Sequence, residues 1–444
     1  MKLTPHKRLF IALATALTFS LLSACGGETT VADGGIRGTG SSVGPVSGFG
    51  SVFVNGVKFK TDGNVASDDG INSESQLVEG MILRVQGAWR NDNTGNADRV
   101  EYDDTLRGEL KVIKAWDPVT RTAKISILGQ IVRIDAQTVV KGKMVEQLAN
   151  DDFVRMSGWR LLNGEFRASY LGLLTPASQA DFENFNMVEL EGNVSNLSTS
   201  QRTFSIGTQL VNYEGAKFKG VEIEDLARQM AVEVEGNLVE GVLRANEIQP
   251  DDFRRYSHDM DTDIEFVGPV ASVFDRASST FMINGIMVKV TSDTRFDDGI
   301  RNTSGLVKGL LIQVDGTFVS YGMVEAKEVS LREADVEIEG GITSSIDYER
   351  RQLAVGGALV QLTPLTIITD DDGEQRLTLA NLEANFALEV EGIERVNNKG
   401  NAFVEALKIE QDDDAADNEF ELTGRVSTMS NDNVWVLGVK MRIT

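Results

Sequence analysis

Runs in which apolar and polar residues alternate recur along the chain, and each ends in a glycine. Five of these runs are LRVQG at 83–87, VRMSG at 154–158, VEVEG at 232–236, IQVDG at 312–316 and LEVEG at 388–392. Successive side chains of a strand point to opposite faces, so this pattern predicts strands with one apolar, buried face. The other face is mostly charged, and we expect it to lie in solvent.

A second pattern marks the start of each repeat. A Gly-x-apolar step occurs six times, at Gly44, Gly108, Gly192, Gly268, Gly340 and Gly424. A short alternating run and a glycine turn follow each step, as in VFVNG at 52–56 and FMING at 281–285. Asn-Gly favours a type I′ turn, in which both central residues need a positive φ. Each repeat is therefore expected to begin with a β-hairpin.

A short helix and two more strands complete the repeat. Helical stretches are indicated at 73–77, with a possible capping box, and at 225–229 and 379–384. The stretch before each fourth strand contains a residue type that tolerates a left-handed turn, at Gly80, Asp151, Gln229, Gly309 and Asn385. Three strands, a short helix and two strands is the element order of the OB-fold, a five-stranded, partly open barrel. We therefore predict an all-β protein with short helices, a tandem array of small OB-like five-stranded barrels; a different small barrel and a sandwich of paired modules are the alternatives.

The repeats divide the chain into five modules and a partial sixth. Their ranges are 36–104, 105–171, 187–249, 264–332, 335–410 and 419–444. The last segment has only the first three strands of a module, which would leave an open sheet edge. We expect it to be either a truncated gene product or a strand donor to a neighbouring module. The five modules are expected to follow one another like beads on a string.

Residues 1–24 have the features of a bacterial export signal. Basic residues precede an apolar run from Leu9 to Leu22. This run is too short to cross a bilayer as a helix, because a spanning helix needs about 20 residues. Removal of the signal would make the mature chain more acidic, since the segment contains Lys2, Lys7 and Arg8 and no acid.

The signal ends in Leu-Ser-Ala-Cys at 22–25, which resembles the lipobox of bacterial lipoproteins. The resemblance implies that Cys25 is acylated and becomes the mature N-terminus. Because Gly26 follows it, the resemblance also implies transport to the outer membrane in a Gram-negative cell. Residues 25–43 are rich in Gly, Ser and Thr and are expected to form a flexible tether. The G-x-S-x-G match at 40–44 lacks the context of a nucleophile elbow and is interpreted as chance.

Charge and the scarcity of His and Cys limit the chemistry. The chain has 43 basic and 67 acidic residues, a net charge of −24, which argues against a nucleic-acid partner because such binding rests on Lys and Arg meeting phosphate. Two histidines, His6 and His258, and one cysteine cannot build a Cys/His zinc site, an internal disulfide or a His-dependent catalytic pair. We therefore predict no catalytic residue, no cofactor and no enzymatic activity. A carboxylate-only hydrolase is the alternative that the many acids leave open.

Acidic Asp-Gly loops are the only polar feature that repeats. They contain Asp68 and Asp69 in module 1, Asp297 and Asp298 in module 4, and Asp370, Asp371 and Asp372 in module 5. Asp-Gly is a turn signal by itself, and these acids do not stand in the EF-hand register. We interpret the loops as turns, with a low-affinity Ca²⁺ site as the alternative.

Aromatic side chains are the other candidates for ligand contacts. The chain has four tryptophans, Trp89, Trp116, Trp159 and Trp435. OB barrels commonly bind oligosaccharides on a strand face. Modules 3 to 5 have no tryptophan, so we favour local packing over a sugar-stacking platform. His258 is interpreted as an exposed linker residue.

The complete repeat, through its G-x-V, F-x-V-N-G and V-x-V-x-G steps, resembles bacterial repeat lipoproteins built from an uncharacterised, OB-like domain of unknown function. The resemblance covers residues 36–444 and brings no known active site. It implies a non-enzymatic, lipid-anchored protein of the cell envelope with a binding or scaffolding role. The expected partners are the membrane, through acyl chains on Cys25, and an envelope glycan or another envelope protein. A surface protein that binds glycan or divalent cations is the alternative.

Overall fold

The computed structural model describes most of the chain after the first 35 residues. The described ranges are 36–48, 51–90, 93–175, 187–250, 262–297, 299–320, 322–332, 334–371, 375–383, 386–397, 400–415, 419–430 and 432–443. Strands dominate these ranges, and the helices among them are single 3₁₀ turns at Glu74–Gln76, Val145–Gln147, Ile223–Asp225, Thr303–Gly305 and Leu379–Asn381. Within these ranges no helix has the length and apolar character needed to cross a membrane.

Module 1 shows how the repeat folds. Its strands are β1 (Ile36–Gly48), β2 (Val52–Val54), β3 (Val57–Lys60), β4 (Ile82–Arg90) and β5 (Thr94–Tyr102). Strand β1 pairs antiparallel with β2 and β4, β2 pairs with β3, β3 runs parallel to β5, and β5 pairs with β4. The order β1-β2-β3-β5-β4 returns to β1, so the sheet closes into a five-stranded barrel.

Modules 2 to 5 repeat this order. Module 2 contains β6 (Leu106–Asp117), β7 (Thr122–Ile127), β8 (Gln130–Asp135), β9 (Val139–Lys141), β10 (Phe153–Arg160) and β11 (Phe166–Leu173). Module 3 contains β12 (Val188–Ser198), β13 (Thr203–Ile206), β14 (Gln209–Asn212), β15 (Lys217–Phe218), β16 (Ala231–Val239) and β17 (Val242–Pro250). Module 4 contains β18 (Asp263–Pro269), β19 (Thr280–Ile283), β20 (Ile286–Lys289), β21 (Arg295–Phe296), β22 (Leu311–Ser320) and β23 (Met323–Leu331). Module 5 contains β24 (Val336–Gly341), β25 (Gln352–Val355), β26 (Ala358–Asp370), β27 (Phe386–Val396) and β28 (Ala402–Ala415). The prediction of tandem OB-like barrels is confirmed.

The local turn chemistry follows the sequence. Asn55 has φ 52° and Gly56 has φ 74°, so both central residues of this hairpin turn have the positive φ that type I′ requires. Asp151 at φ 68° and Gln229 at φ 70° occupy the left-handed positions predicted before the fourth strands. The turn at Asn55 also contacts module 4, because Gln313 Nε2 donates to the Asn55 backbone oxygen at 3.4 Å.

The modules are joined through shared sheets and shared cores, so the expectation of separate beads is wrong. Strand β1 runs parallel to β18 of module 4, and β6 pairs antiparallel with β12 of module 3. One apolar core runs through modules 2 and 3. The core of module 4 also includes Val43 and Ile82 of module 1, Trp159 of module 2 and Ile393 of module 5. Apolar surface that a single barrel would expose is covered by its neighbours.

The tether prediction is wrong for residues 36–43, which form the first half of β1. Ser41 and Ser42 are buried between β4 and β18. A Cβ atom built on Gly40 would lie 2.0 Å from the carbonyl oxygen of Asp263. The small side chains in this segment therefore permit close approach of modules 1 and 4, and they do not mark flexibility.

The last segment donates a strand to module 5. It contains β29 (Phe420–Thr423), β30 (Val426–Ser430), β31 (Asn433–Val436) and β32 (Val439–Arg442). Strand β29 pairs antiparallel with β24, while β30, β31 and β32 form a small sheet of their own. Val436 and Leu437 complete the core of module 5. Of the two expectations for this segment, the structure favours the strand donor.

Candidate functional site

A group of buried charged residues lies where modules 1, 2 and 3 meet, and we call it the charge cluster. It consists of Asp69 from the loop after β3, Asp104 from the turn before β6, Arg107 on β6, Arg155 on β10 and Glu189 on β12. All five are buried, and Arg155 is the most exposed of them at 6%. The sequence had pointed only to Asp69, since charged residues on alternating strands are usually solvated.

Arg107 lies at the centre of the charge cluster. Its Nη1 atom forms an ion pair with Asp69, lies 2.6 Å from Asp104 Oδ2 and lies 3.0 Å from Glu189 Oε2. Arg155 Nη2 donates to the backbone oxygen of Asp69 at 2.7 Å and lies 3.1 Å from Asp104 Oδ2. These contacts join three modules through charged groups that have left water, an arrangement that is stable only when every charge is paired.

The surroundings shift the pKa values of two of these acids in opposite directions. Burial disfavours the charged form of Asp69, but Arg107 beside it holds the pKa of that carboxyl well below its ordinary value. Burial, together with the charges of Asp69 and Asp103, raises the pKa of Glu189 well above its ordinary value although Arg107 is adjacent.

A second group of acids borders the charge cluster on the side of a small cleft. Carboxylate oxygens of Asp103, Glu189 and Glu233 lie within 4.8 Å of one another, and we call these residues the acid triad. Asp103 and Asp68 line the small cleft, which has a volume of about 330 Å³. Oxygen ligands of this kind suit hard cations such as Ca²⁺ and Mg²⁺. Sequence reasoning missed Glu189 and Glu233, because both lie on strand positions that were expected to face solvent.

The other predicted acidic loops do not converge. Asp370 Oδ1 accepts a hydrogen bond from the Gln375 backbone, and the Asp297 carbonyl accepts one from the Ile300 backbone, as turns require. In the part of the chain that the structure describes, some groups of three acids are close enough to share a cation. Asp68 and Asp69 belong to such groups, whereas Asp297, Asp370 and Asp371 do not. Asp298, Asp372, His258 and Cys25 lie outside the described residues.

Two of the four tryptophans, Trp89 and Trp159, are buried. Trp89 is fully buried and packs edge-to-face on Phe59, with ring centroids 6.2 Å apart. Trp159 is buried and donates through Nε1 to the Val267 oxygen of module 4 at 3.1 Å. Neither ring is placed to stack on a sugar. Trp116 differs, because it lines an open cleft.

This larger cleft lies between modules 2 and 5 and the last segment, and we call it the junction cleft. Its volume is about 740 Å³. Its lining includes the aromatic residues Trp116 and Phe403, the basic residues Arg121, Lys141, Lys143, Arg395 and Arg425, and the acidic residues Glu79, Asp135, Glu146, Asp335 and Glu394. Although the whole chain is strongly acidic, acids and bases balance here.

Two of the arginines that line the junction cleft are Arg121 and Arg395. Arg121 Nη2 lies 2.8 Å from the buried carboxylate of Glu405, and its guanidinium lies 5.0 Å from the centre of the Phe403 ring. Arg395 donates from Nη2 to the backbone oxygen of Gln137 at 2.7 Å. The Nε atoms of both arginines are buried and find no hydrogen-bond partner within the described parts of the chain. Guanidinium groups held in this way can bind carboxylate or phosphate.

Comparison with known proteins identifies the repeat and gives no activity. The family model described as "Domain of unknown function (DUF5666)" matches residues 41–101, 112–171, 191–249, 267–330 and 339–403, one match within each of the five modules. No curated protein matches the chain. Five solved chains match, among them drosophila Unr CSD456, which is 15% identical, has a TM-score of 0.15, and aligns over 51% of this chain and 96% of that chain. Because the five family matches span more than half of its length, the chain belongs to the DUF5666 family.

Proposed function

We propose that the protein is a non-enzymatic, lipid-anchored component of the cell envelope that binds an anionic ligand in the junction cleft. The single observation that carries the binding role is this cleft, whose volume of about 740 Å³ falls in the range of about 300–1,000 Å³ for ligand sites. Five family repeats packed into one body supply a rigid frame for it. Such a frame also suits a scaffolding role, and the junction cleft would give the scaffold a site for a specific ligand.

The lining of the junction cleft indicates the chemistry of the ligand. Arg121 and Arg395 offer guanidinium groups to a carboxylate or phosphate, and Trp116 and Phe403 offer ring faces to a sugar or apolar group. Val396 is 66% exposed at the same cleft, which adds apolar surface. A muramyl peptide combines these features, because it carries a sugar ring and carboxylates.

Calorimetric titration of the full chain with muramyl dipeptide tests the ligand class. We expect binding to the wild type and a loss of at least about tenfold in affinity for Arg395→Met, since a charge-assisted hydrogen bond contributes roughly 1.5–3 kcal/mol. Arg295→Met is the matched control, because Arg295 is 78% exposed on module 4 and lies outside the cleft. Equal affinities for the wild type and Arg395→Met, or no binding by the wild type, would contradict the proposed ligand.

The anchoring part of the proposal rests on the Leu-Ser-Ala-Cys sequence at 22–25. Several acyl chains on Cys25 would hold the protein on a membrane, since each buried CH₂ contributes about 0.8 kcal/mol. Mass spectrometry of the natural N-terminus is expected to find an acylated residue 25. An unmodified cysteine there would exclude the anchor and leave the ligand proposal intact.

A carboxylate-only hydrolase is the second candidate, and one observation favours it. Asp335 and Glu394 both line the junction cleft, and burial raises the pKa of each, with Asp335 further raising that of Glu394. A carboxyl that holds its proton is what a glycosidase acid requires. Release of reducing sugar from peptidoglycan by the wild type but not by Glu394→Gln would establish this activity in place of simple binding.

A further inference from the structure

Modules 3 and 4 place different residues at one equivalent pair of positions. Glu189 and Glu265 each lie three residues before the glycine of their Gly-x-apolar step, and Glu233 and Gln313 each lie three residues before the glycine that ends the alternating run. In module 4 the amide of Gln313 donates to Glu265 Oε1 at 2.7 Å. In module 3 the same pair of positions holds two glutamates, so neither side chain of the pair is an amide that could donate to the other.

The acid triad shows what results from this difference. Glu189 is fully buried, its Oε1 has no hydrogen-bond partner among the described residues, and its Oε2 lies 3.0 Å from Arg107 Nη1. The Glu233 carboxylate, which accepts from Gln249 Nε2 at 2.6 Å, and the Asp103 carboxylate lie within 4.8 Å of it. A buried carboxylate oxygen without a donor costs free energy unless a proton or a cation meets it.

The charges around the triad favour a cation. The two arginines of the charge cluster pair with Asp69 and Asp104, and Arg107 also pairs with Glu189. The triad adds three more carboxylates to these two aspartates, and Asp68 lies beside them with Lys219 Nζ 3.9 Å from its Oδ2. Among these residues, all of which the structure describes, six carboxylates lie beside three basic groups, the two arginines and Lys219.

We infer that Asp103, Glu189 and Glu233 bind a hard divalent cation of the Ca²⁺ class and that this cation links the end of module 1 to module 3. Ca²⁺ accepts irregular sets of carboxylate and water oxygens, whereas Mg²⁺ demands near-octahedral geometry. Asp103 lines the small cleft, which gives the cation a path from solvent and room for water ligands. The inference is independent of any ligand in the junction cleft.

Titration of the metal-free full chain with CaCl₂ tests this site. The buffer should contain about 0.15 M NaCl, because salt screens the exposed acids, which would otherwise bind cations non-specifically. The expected result is one bound Ca²⁺ and a rise in melting temperature of roughly 3 °C at saturating CaCl₂, since binding to the native state alone stabilises it. Glu189→Gln is expected to weaken Ca²⁺ binding at least tenfold.

Two further variants separate cation binding from folding. Glu233→Gln reproduces the Glu–Gln pair of module 4, so it is expected to lose Ca²⁺ binding and to keep or raise the metal-free melting temperature. Glu265→Gln is the matched control, because it changes the equivalent glutamate of module 4 and should leave Ca²⁺ affinity within twofold. A wild type that shows neither binding heat nor a shift in melting temperature, or undiminished Ca²⁺ binding by Glu233→Gln, would overturn the inference.

Discussion

Arg107 shows how one side chain can hold three modules together. It meets Asp69 of module 1, Asp104 of the following turn and Glu189 of module 3, and it is 1% exposed. Loss of one partner leaves uncompensated charges in a medium that solvates them poorly, so breaking a buried pair costs more than forming it contributes.

Arg107→Met is therefore expected to lower the free energy of unfolding by about 3–5 kcal/mol. Urea denaturation followed by circular dichroism measures this change. Arg295→Met serves as the control, because the exposed pair of Arg295 with Glu328 is solvated and should contribute little. A loss no larger than that of the control would show that the buried carboxylates do not need Arg107.

The ionised Glu165 side chain is expected to make the stability of the fold fall at low pH. Burial is the largest single effect and disfavours its charge, but Lys124, Asn163 and Arg133 together more than offset this and lower the pKa of Glu165 to about 2. Because the folded-state pKa is depressed, the stabilisation is complete above the unfolded value of about 4.3 and is lost as the pH falls towards 2.

Glu165→Gln is thus expected to lower the free energy of unfolding at pH 7. The gap in this free energy between variant and wild type should shrink as the pH falls from 4.5 to 2. Urea midpoints measured across this range test the expectation. The same substitution at the exposed Glu240 controls for the removal of one charge. A difference that stays constant with pH would exclude the ion pairs of Glu165 as its source.

At the scale of the element, first strands join the modules. The strand that begins each barrel also pairs with a strand outside it, as β1 does with β18, β6 with β12 and β24 with β29. Each pairing covers part of a sheet edge that would otherwise be free to associate with other chains. The glycine and serine residues of β1 permit the closest of these approaches.

Gly40→Ala is expected to destabilise the protein by several kcal/mol, because its Cβ would lie 2.0 Å from the Asp263 carbonyl oxygen. Gly63→Ala is the matched control: Gly63 has φ 86° and open space around its Cβ position, so it reports backbone strain of about 1 kcal/mol alone. Thermal unfolding of both variants gives the difference. Equal losses would mean that β1 and β18 separate without cost.

At the scale of the whole molecule, shared sheets and cores predict cooperative unfolding. Modules 2 and 3 have one core, and the core of module 4 includes side chains from modules 1, 2 and 5. No barrel can unfold without exposing apolar surface of its neighbours, so the modules should not melt independently.

Calorimetry of the full chain is expected to show one dominant transition. Single-tryptophan variants that retain either Trp89 of module 1 or Trp159 of module 2 should report the same midpoint as circular dichroism. Two or more transitions, with the tryptophan probes separated by several degrees, would contradict the coupling of the modules.

Local periodicity was sufficient to predict the barrels, because strand alternation, Asn-Gly turns and left-handed positions depend on residues close in sequence. The same information could not locate the acid triad. Glu189 and Glu233 occupy the charged face of alternating strands, and an isolated barrel would leave that face in water. The difference between Glu233 and Gln313 at equivalent positions was the one feature of the sequence that pointed to the acid triad. It could be interpreted only once the structure placed the three carboxylates close together.

The sequence by itself determined the repeat, its element order and the acidic Asp-Gly loop that holds Asp69. The tertiary structure decided which polar faces are buried, where Gly40 and Arg107 contact other modules, and which clefts result. The physical reason is that barrel formation follows short-range patterns, whereas burial of a charge depends on partners distant in the chain. A carboxylate on a strand has the same sequence signature whether it faces water or the side chains of another module.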